Sequence, residues 1–388
     1  MPRLDEEIFL VAALRTPIGK FGGALSSLTA PQLGVASAKA TIERSGIDPT
    51  KIDEVIFGNA RQAGVGPNAA RQIAIKSGLR HEVPAYTVNQ ACGSGLRAIM
   101  NAADQIRLGH AEVVLAGGTE SMSNTPYLLT RARWGMRMGH GEVVDGMHRD
   151  GFMCPLADEM MGATAETLAD RYGISRDEQD QFAIESQKRV ERAYAEDRFK
   201  DEIVPLEKLQ RDEHPRFDTD LGSLAKLPPV FRKDGTVHAG NSSGVTDGAS
   251  SMLVASHAAV EKQGLKPMAR VVGYAHAGVD PKIMGIGPVP ATRRLLGEVG
   301  MSLEDIDLIE LNEAFAAQVL ACDRELHFDR RKLNVHGGAI ALGHPIGCTG
   351  ARITTTLLHA LKTHNKTVGL ATLCISGGMG LSMIVERV

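Results

Sequence analysis

The sequence predicts an α/β protein made of two similar layered halves. Residues 45–58 resemble residues 299–312, and residues 93–98 resemble residues 348–353, so two matches follow the same order at nearly the same separation. Around each match, short apolar runs typical of strands alternate with segments typical of helices. Because strands that alternate with helices form layered units, we interpret the chain as a duplicated α/β unit with extensive parallel strand pairing.

The elements of the two halves can be matched in order. The predicted strands are residues 54–57, 112–118, 308–311 and 367–373. The longer runs among them show little alternation, which is typical of strands buried on both faces. Small-residue turns lead into predicted helices at residues 95–107 and 350–361. We expect the most apolar helices of the two halves to pack against each other.

The middle of the chain has a different composition. From about residue 121 to residue 245 the strand pattern fades and charged residues become more frequent. Ser175 and Glu178 form the pattern of a capping box at the start of a charged helix. We expect an elaborated loop domain that shapes substrate access or subunit contacts, although a solvated surface segment is the alternative for most of its residues.

The composition excludes several classes of protein. Of the 388 residues, 43 are Lys or Arg and 46 are Asp or Glu, so no basic excess favours nucleic acid or an anionic membrane. The five cysteines are far apart and include no CxxC pair, which disfavours a disulfide framework. No apolar run reaches the roughly 20 residues of a membrane span, and residues 1–7 lack the pattern of a signal peptide. We therefore expect a cytoplasmic protein with neither nucleic acid nor membrane as a partner.

Cys92 is the first candidate for chemistry. It lies in a glycine-rich turn between an apolar strand and a helix, at residues 88–96. The positive end of the helix dipole favours a thiolate, and small neighbours let a bulky acyl group approach. A lone cysteine is more often a buried small hydrophobic residue, and the glycines shift that preference without deciding it.

Three further residues complete a candidate site. His344 lies in a second glycine-rich turn, where an imidazole could deprotonate a thiol and then donate to a carbonyl oxygen. Cys374 follows a buried strand and precedes consecutive glycines. Two cysteines, one in each half, could form a paired site in which one carries an acyl group and the other moves a proton. Asn312 could hold a water or a carbonyl, or could simply cap a helix.

Two other readings of the sequence are disfavoured. His336 and Cys348 raise the possibility of a metal site, but their spacing matches no ordinary zinc pattern, so no metal is predicted. Residues 64–69 resemble a dinucleotide-binding GxGxxA pattern, but residues 60–63 before them form a polar turn instead of a strand end. No Walker A sequence is present.

Together these motifs resemble the thiolase family. The resembling segments run in order along the whole chain, at residues 13–19, 89–95, 239–244, 312–316, 337–347 and 374–380. The resemblance implies the thiolase fold, with duplicated five-layered αβαβα halves and an inserted loop domain. It assigns residues 1–121 and 246–270 to the N-terminal half, 122–245 to a loop domain for oligomerisation and coenzyme A binding, and 271–388 to the C-terminal half.

The resemblance also implies catalytic roles. The enzyme would be an acyltransferase that makes or cleaves the carbon–carbon bond of a 3-ketoacyl-CoA, with coenzyme A and acyl-CoA as substrates and no permanently bound cofactor. Cys92 would be acylated, His344 would activate it, and Cys374 would take the α-proton of the second acyl-CoA. Asn312, through a water, and His344 would hold the enolate. The backbone N–H groups of Cys92 and Ser376 would hold the acyl-enzyme carbonyl.

Substrate-binding residues follow from the same resemblance. Arg216 and Ser223 would contact the adenine nucleotide of coenzyme A, and Ser243 would contact the pantetheine. The predicted acyl pocket consists of Met160, Met161, Ala314 and Phe315. Many members that form acetoacetyl-CoA carry His where this chain has Met160. An adaptable methionine could suit longer acyl chains or could be neutral packing.

The most specific prediction is an acetyl-CoA C-acetyltransferase. A degradative 3-ketoacyl-CoA thiolase with broad chain-length range is the alternative, and a non-catalytic acyl-CoA or lipid carrier is the alternative from a different class. An acyl-carrier-protein synthase usually has a His–His or His–Asn pair in place of His344 and Cys374. Residues 124–148 resemble the family's tetramerisation loop, so we expect a homotetramer built as a dimer of dimers.

Overall fold

The computed structural model describes residues 5–388. Residues 1–4 lie outside the described part; they belong to the predicted N-terminal half and to residues 1–7, where no signal-peptide pattern was found. The strands are β1 Ile8–Arg15, β2 Gly19–Lys20, β3 Glu54–Gly58, β4 Ala85–Val88, β5 Val113–Ser121, β6 Tyr127–Leu128, β7 Val144–Asp145, β8 Met153–Cys154, β9 Glu159–Met160, β10 Thr246–Ser256, β11 Pro267–Gly278, β12 Leu308–Leu311, β13 Val368–Ile375 and β14 Met379–Arg387. Nine of them follow one another in the hydrogen-bonded order β12-β13-β14-β11-β1-β10-β5-β3-β4, and β2 pairs with β10.

Helices cover and separate these strands. They are α1 Ala30–Ser45, α2 Ala69–Lys76, α3 Ser94–Arg107, α4 Met161–Tyr172, α5 Arg176–Ala195, α6 Leu221–Ala225, α7 His257–Gln263, α8 Pro288–Val299, α9 Ala316–Leu326, α10 Ala339–Leu342 and α11 Ile346–Thr363. Single helical turns lie at Pro49–Lys51, Met122–Asn124, Ala132–Trp134, His148–Phe152, Pro281–Ile286 and Leu303–Asp305. Within residues 5–388, no helix is both long enough and apolar enough to cross a lipid bilayer.

The two predicted central helices pack against each other. One hydrophobic cluster contains buried residues of α3, including Leu96 and Ile99, together with buried residues of α11, including Ile353 and Leu357. Glycines bring the two backbones close, since a Cβ added at Gly95 would lie 2.7 Å from the backbone nitrogen of Ala351. This contact joins the two halves at the helices that follow the turns of Cys92 and His344.

The strand pairing is less parallel than the sequence suggested. Parallel pairing occurs between β3 and β5, β3 and β4, and β12 and β13. The other neighbours are antiparallel, because β13 turns directly into β14 and β10 runs back between β1 and β5. Gly377 and Gly378 both have φ of 86°, a left-handed conformation that makes the tight turn between β13 and β14 possible. The prediction of extensive parallel pairing was therefore wrong for most of the sheet.

The segment between β5 and β10 contains short strands and charged helices. Its four strands, β6 to β9, have two residues each. The predicted capping box is present at the start of α5, where the backbone N–H of Glu178 donates to Ser175 Oγ and the backbone N–H of Ser175 donates to Glu178 Oε2. Leu168 of α4 and Phe182 of α5 share a hydrophobic cluster with residues of α9. This packing holds Met160 and Met161, at the start of α4, against the C-terminal half.

Candidate active site

Cys92 lies in a tight turn between β4 and α3. Ala91 has φ of 45°, a left-handed conformation that costs an alanine about 1–2 kcal/mol. Hydrogen bonds hold the turn: the backbone N–H of Ala91 donates to Asn89 Oδ1 at 3.0 Å, and Ser94 Oγ donates to the Ala91 carbonyl at 2.6 Å. A Cβ added at Gly93 would lie 2.5 Å from Ile375 Cδ1. The local backbone thus fixes the half-buried Cys92 beside the end of β13.

His344 is held in a defined orientation and tautomer. Its backbone N–H donates to the Gly244 carbonyl at 3.0 Å, and its Nδ1 lies 2.6 Å from Thr349 Oγ1. The hydroxyl of Thr349 donates its only proton to the Pro345 carbonyl at 3.0 Å. With the hydroxyl proton assigned to Pro345, Thr349 Oγ1 accepts from the N–H of Nδ1, and Nε2 of His344 is unprotonated and able to act as a base.

Burial sets the protonation of Cys92 and His344. Burial lowers the pKa of His344 to about 3, and the charges of Arg352 and Arg61 act in the same direction. Burial also raises the pKa of Cys92, although hydrogen bonds from the backbone N–H groups of Ser376 and of Cys92 itself oppose this effect. Cys92 is therefore a thiol and His344 a neutral imidazole, in contrast to the Cys92 thiolate that the helix dipole alone suggested.

Cys374 is the second thiol of the site. It lies near the end of β13 and is fully buried. Burial, together with the neighbouring thiol of Cys92, raises the pKa of Cys374 well above its usual value. A protonated thiol with a raised pKa is a strong base once ionised, which suits the removal of a weakly acidic proton.

These groups share one cavity of about 310 Å³. Its wall contains Cys92, His344, Cys374 and Ser376, and the rest of the lining is mainly apolar. An apolar site strengthens the electrostatic interactions of the polar groups that line it. The cavity can therefore bring a thiol nucleophile, a neutral base, a second thiol and backbone N–H donors to a single reacting carbon.

Comparisons with known proteins agree with this chemistry. Two family models cover nearly the whole chain: the thiolase N-terminal domain matches residues 8–258 and the thiolase C-terminal domain matches residues 265–387. The chain belongs to the thiolase family. The predictions of the family, of the fold and of an acyltransferase enzyme are thereby confirmed.

Relatives and solved structures match this thiolase end to end. Acetyl-CoA acetyltransferase of Pseudomonas aeruginosa is 51% identical over 98% of this chain and 100% of its own, and that of Escherichia coli is 50% identical over 97% and 98%. The crystal structure of the Bacillus anthracis acetyl-CoA acetyltransferase has a TM-score of 0.96 at 47% identity, covering 99% of each chain. Human mitochondrial 3-ketoacyl-CoA thiolase has the same TM-score at 44% identity, also covering 99% of each chain.

The four residues predicted for the acyl pocket of this thiolase lie on the cavity wall. They are Met160, Met161, Ala314 and Phe315. Met161 and Phe315 also pack against a small cluster that contains Cys374. Met160 therefore lies where it can contact an acyl chain, and its effect on chain length stays a prediction.

Asn312 lies just after β12 and is 1% exposed, but it is absent from the cavity wall. Its backbone N–H donates to the Thr372 carbonyl at 3.0 Å, which places it one strand away from Cys374. Neither polar atom of its side chain has a hydrogen-bond partner among the described residues. An unpaired buried amide is costly, so the predicted water is chemically reasonable, and the role of Asn312 stays a prediction.

The three residues predicted to bind coenzyme A are not brought together. Ser243 lines the cavity, whereas Arg216 and Ser223 are exposed and do not line it. The backbone N–H of Arg216 donates to Gln187 Oε1, and Ser223 forms a capping box with Asp220 at the start of α6. The Arg216 side chain forms no hydrogen bond or ion pair within residues 5–388, and the roles of all three residues stay predictions.

Two residues considered for a metal lie elsewhere in the fold. His336 Nε2 lies 3.1 Å from His364 Nε2, and Cys348 is buried within α11. Within residues 5–388, no group of three His, Cys, Asp or Glu side chains is arranged to hold a metal ion.

The sequence missed several residues of the cavity wall. The most informative are Arg61, Phe152, Phe231, Met284 and Ile346. They lie on separate loops and helical turns, so only the tertiary structure brings them together. Arg61 belongs to the segment at residues 60–63 that was interpreted as a polar turn, and nothing in the sequence around it indicated a place on the cavity wall.

Proposed function

We propose that this thiolase is an acetyl-CoA C-acetyltransferase that makes or cleaves the carbon–carbon bond of a 3-ketoacyl-CoA. The observation that carries the proposal is the presence of Cys92, His344 and Cys374 on the wall of one cavity. The names of the relatives from Pseudomonas aeruginosa and Escherichia coli support the choice of acetyl-CoA as the substrate.

In the first half-reaction, Nε2 of His344 takes the proton of Cys92. The thiolate then attacks the acyl carbonyl of the first acyl-CoA, and the carbon–sulfur bond to coenzyme A breaks as the acyl–Cys92 bond forms. The leaving thiolate takes the proton from His344, which returns to its neutral form. Backbone N–H groups of Cys92 and Ser376 point at the sulfur of Cys92, so they are suited to hold the carbonyl oxygen of the acyl-enzyme.

In the second half-reaction, ionised Cys374 removes a proton from C2 of acetyl-CoA. The resulting enolate is held by His344 and by Asn312 through a water, and its C2 attacks the acyl-Cys92 carbonyl. The acyl–sulfur bond breaks as the new carbon–carbon bond forms, and the Cys92 thiolate takes the proton that Cys374 removed from C2, which returns Cys374 to its ionised form. Thiolysis is the same sequence in reverse.

Coenzyme A would extend from the cavity to the exposed residues Arg216 and Ser223. Ser243, on the cavity wall, is placed to contact the pantetheine. Coenzyme A is a substrate in this scheme, and no permanently bound cofactor takes part. Arginine suits an adenine nucleotide through its charge and its flat guanidinium.

Acetylation of Cys92 tests the proposal. After incubation with acetyl-CoA, peptide mapping by mass spectrometry should locate one acetyl group per chain on Cys92, and Cys92→Ser should abolish it. Cys322→Ser is the matched control, because Cys322 is a buried thiol that donates to the Gly285 carbonyl and lies outside the cavity. Acetylation that persists in Cys92→Ser refutes the assignment, and reversible binding with no turnover identifies the non-catalytic carrier.

Chain length separates the acetyltransferase from the degradative thiolase. Turnover should be measured against 3-ketoacyl-CoA substrates of increasing length, beginning with acetoacetyl-CoA. A preference for the shortest chains supports the proposal, whereas equal turnover across long chains supports the degradative enzyme.

We also propose a cytoplasmic homotetramer, assembled as a dimer of dimers. The segment at residues 124–148 supports it, since Trp134 and Met138 there are 86% and 96% exposed in the single chain. Such large apolar side chains favour burial at a subunit contact. Sedimentation should give a tetramer, and Trp134→Ser with Met138→Ser should give smaller species. A wild-type monomer contradicts the assembly.

A further inference from the structure

The catalytic cavity contains a buried cation whose guanidinium has no hydrogen-bond partner among the described residues. Arg61 lines the same cavity as Cys92 and is only 9% exposed. Within residues 5–388, its guanidinium makes no hydrogen bond or ion pair, and its Nε is completely buried. An arginine does not shed its proton in a protein. The carboxylates of Glu120 and Asp150 interact with its charge, but they accept no hydrogen bond from the guanidinium. A buried donor without an acceptor is unfavourable, so a ligand that accepts hydrogen bonds from the guanidinium would remove a cost.

The two carboxylates that interact electrostatically with Arg61 both form their hydrogen bonds with other groups. Glu120 accepts hydrogen bonds from the backbone N–H groups of Arg61 and Ala60 at 3.1 Å and of Gly347 at 2.8 Å. Asp150 pairs with Arg149 at 2.7 Å. Glu120 thus anchors the backbone of Arg61 to the start of α11, while the Arg61 side chain reaches the cavity wall.

The backbone around Arg61 is shaped to hold the guanidinium. A Cβ added at Gly151 would lie 2.9 Å from both Nε and Nη2 of Arg61, so the absence of a side chain lets this backbone pack against the cation. Cys92, Phe152 and Ile346 belong to one apolar cluster and also line the cavity. An acyl chain on Cys92 can lie against this apolar wall, but a hydrocarbon end gives the Arg61 guanidinium no hydrogen-bond acceptor.

We propose that Arg61 selects acyl chains that end in a carboxylate. Among 3-ketoacyl-CoA substrates longer than acetoacetyl-CoA, the site would prefer esters of dicarboxylic acids, whose terminal carboxylate pairs with the guanidinium through two hydrogen bonds. This inference rests on the proposed thiolase function and adds the substrate class. The carboxylate binds and does not react, so the bonds made and broken at Cys92 are those of the proposed mechanism.

Two substrates that differ only at the chain end test the proposal. Thiolysis of 3-oxoadipyl-CoA and of 3-oxohexanoyl-CoA compares a terminal carboxylate with a terminal methyl group on six-carbon chains. Wild-type enzyme should show a kcat/KM roughly 100-fold higher for 3-oxoadipyl-CoA, since sites built for a polar group discriminate strongly against analogues that lack it. Arg61→Met should bring that ratio to about one or below, whereas Arg61→Lys should keep part of the preference.

A control and the opposing outcomes complete the experiment. Arg331→Met removes an arginine whose side chain is 90% exposed, and should leave the wild-type ratio unchanged. Equal kcat/KM values of wild-type enzyme for the two substrates overturn the inference. An equal loss of kcat/KM for both substrates in Arg61→Met also overturns it, because Arg61 would then support Cys92 or the fold. The wild-type and Arg61→Lys ratios decide the matter if Arg61→Met does not fold. Failure of wild-type enzyme to cleave acetoacetyl-CoA instead overturns the proposed function itself.

Discussion

Among single residues, Thr349 has a large influence on His344 although it does not line the cavity. Its hydroxyl accepts from Nδ1 of His344 and so keeps Nε2 free to take a proton. The geometry makes Thr349 a positioning residue. A base that rotates or holds its proton on the wrong nitrogen loses much of its contribution, which for a positioned base is about 10²–10⁴-fold.

Thr349→Val should therefore lower the rate of Cys92 acetylation by roughly 10- to 100-fold with little change in the melting temperature. Thr349→Ser should restore most of the rate. Thr354→Val is a matched control, because Thr354 is also on α11 and its hydroxyl also donates to the carbonyl four residues earlier. An equal loss of acetylation rate in the two valine variants would show that the Thr349 hydroxyl acts only through its hydrogen bond to the helix backbone.

A second histidine makes stability depend on pH. Burial, with the nearby charges of His364 and Arg198, lowers the pKa of His336 from 6.5 to about 3. Below about pH 6.5 the imidazole of His336 binds a proton in the unfolded chain but not in the folded chain. The contribution of His336 to the free energy of unfolding is therefore complete above pH 6.5 and is lost as the pH decreases. The slope for one such group is about 1.4 kcal/mol per pH unit.

Between pH 6.5 and pH 5, the free energy of unfolding should fall by about 2 kcal/mol less in His336→Asn than in the wild-type protein. Urea unfolding at the two pH values, at a fixed protein concentration, measures this difference. The exposed His81, changed to Asn, serves as the control. A His336→Asn protein with the same drop in stability as wild type would assign the pH dependence to other groups.

Some residues of the site could be predicted from the sequence and others could not. Cys92, His344 and Cys374 could be identified because each lies in or next to a glycine-rich turn, a pattern visible in the adjacent residues of the sequence. Arg61 and Met284 have ordinary neighbours and reach the cavity only through tertiary packing. The raised pKa of Cys92 was also beyond prediction, because burial opposes the helix dipole and is not visible in the sequence.

At the scale of elements, the close contact between β5 and the start of α11 positions the His344 turn. A side chain added at Gly118 of β5 would collide with the Gly347 carbonyl oxygen. The strand and the helix can approach this closely only because both positions are glycines. The same contact keeps the turn of His344 near the turn of Cys92.

Gly118→Ala should destabilise the protein by about 1–3 kcal/mol, since the extra carbon meets backbone that cannot move aside easily. It should also slow acetylation of Cys92. In contrast, Gly297→Ala lies on α8 with nothing within 4 Å of the new carbon, and should stabilise the protein by about 0.5–1 kcal/mol. Thermal unfolding measures both, and a neutral Gly118→Ala would contradict the account of this contact.

Element types were easier to predict than strand directions. Residues 54–57 and 308–311 became β3 and β12 almost without change, since their apolar runs are bounded by clear turns. The antiparallel strands β10 and β11 were not assigned, and buried strands carry no alternation that reveals their orientation. Direction depends on the connections, and the hairpin at residues 376–378 is set by two left-handed glycines.

At the scale of the whole molecule, the duplication explains how one site obtains two thiols. The first half supplies Cys92 at the start of α3, and the second half supplies Cys374 at the end of β13 and His344 before α11. The packing of α3 against α11 brings these three side chains to one cavity. We propose that the two thiols divide one reaction between them, with Cys92 carrying the acyl group and Cys374 moving the α-proton.

The most direct test measures both half-reactions in Cys374→Ser. The first is acetyl transfer from acetyl-CoA to the Cys92 thiol, and the second is exchange of the C2 protons of acetyl-CoA with deuterium from the solvent. The account predicts that acetylation of Cys92 continues, while deuterium exchange and condensation fall by roughly 100-fold or more. Deuterium exchange at the wild-type rate in Cys374→Ser, or an equal loss of Cys92 acetylation, would contradict the division of work between the two thiols.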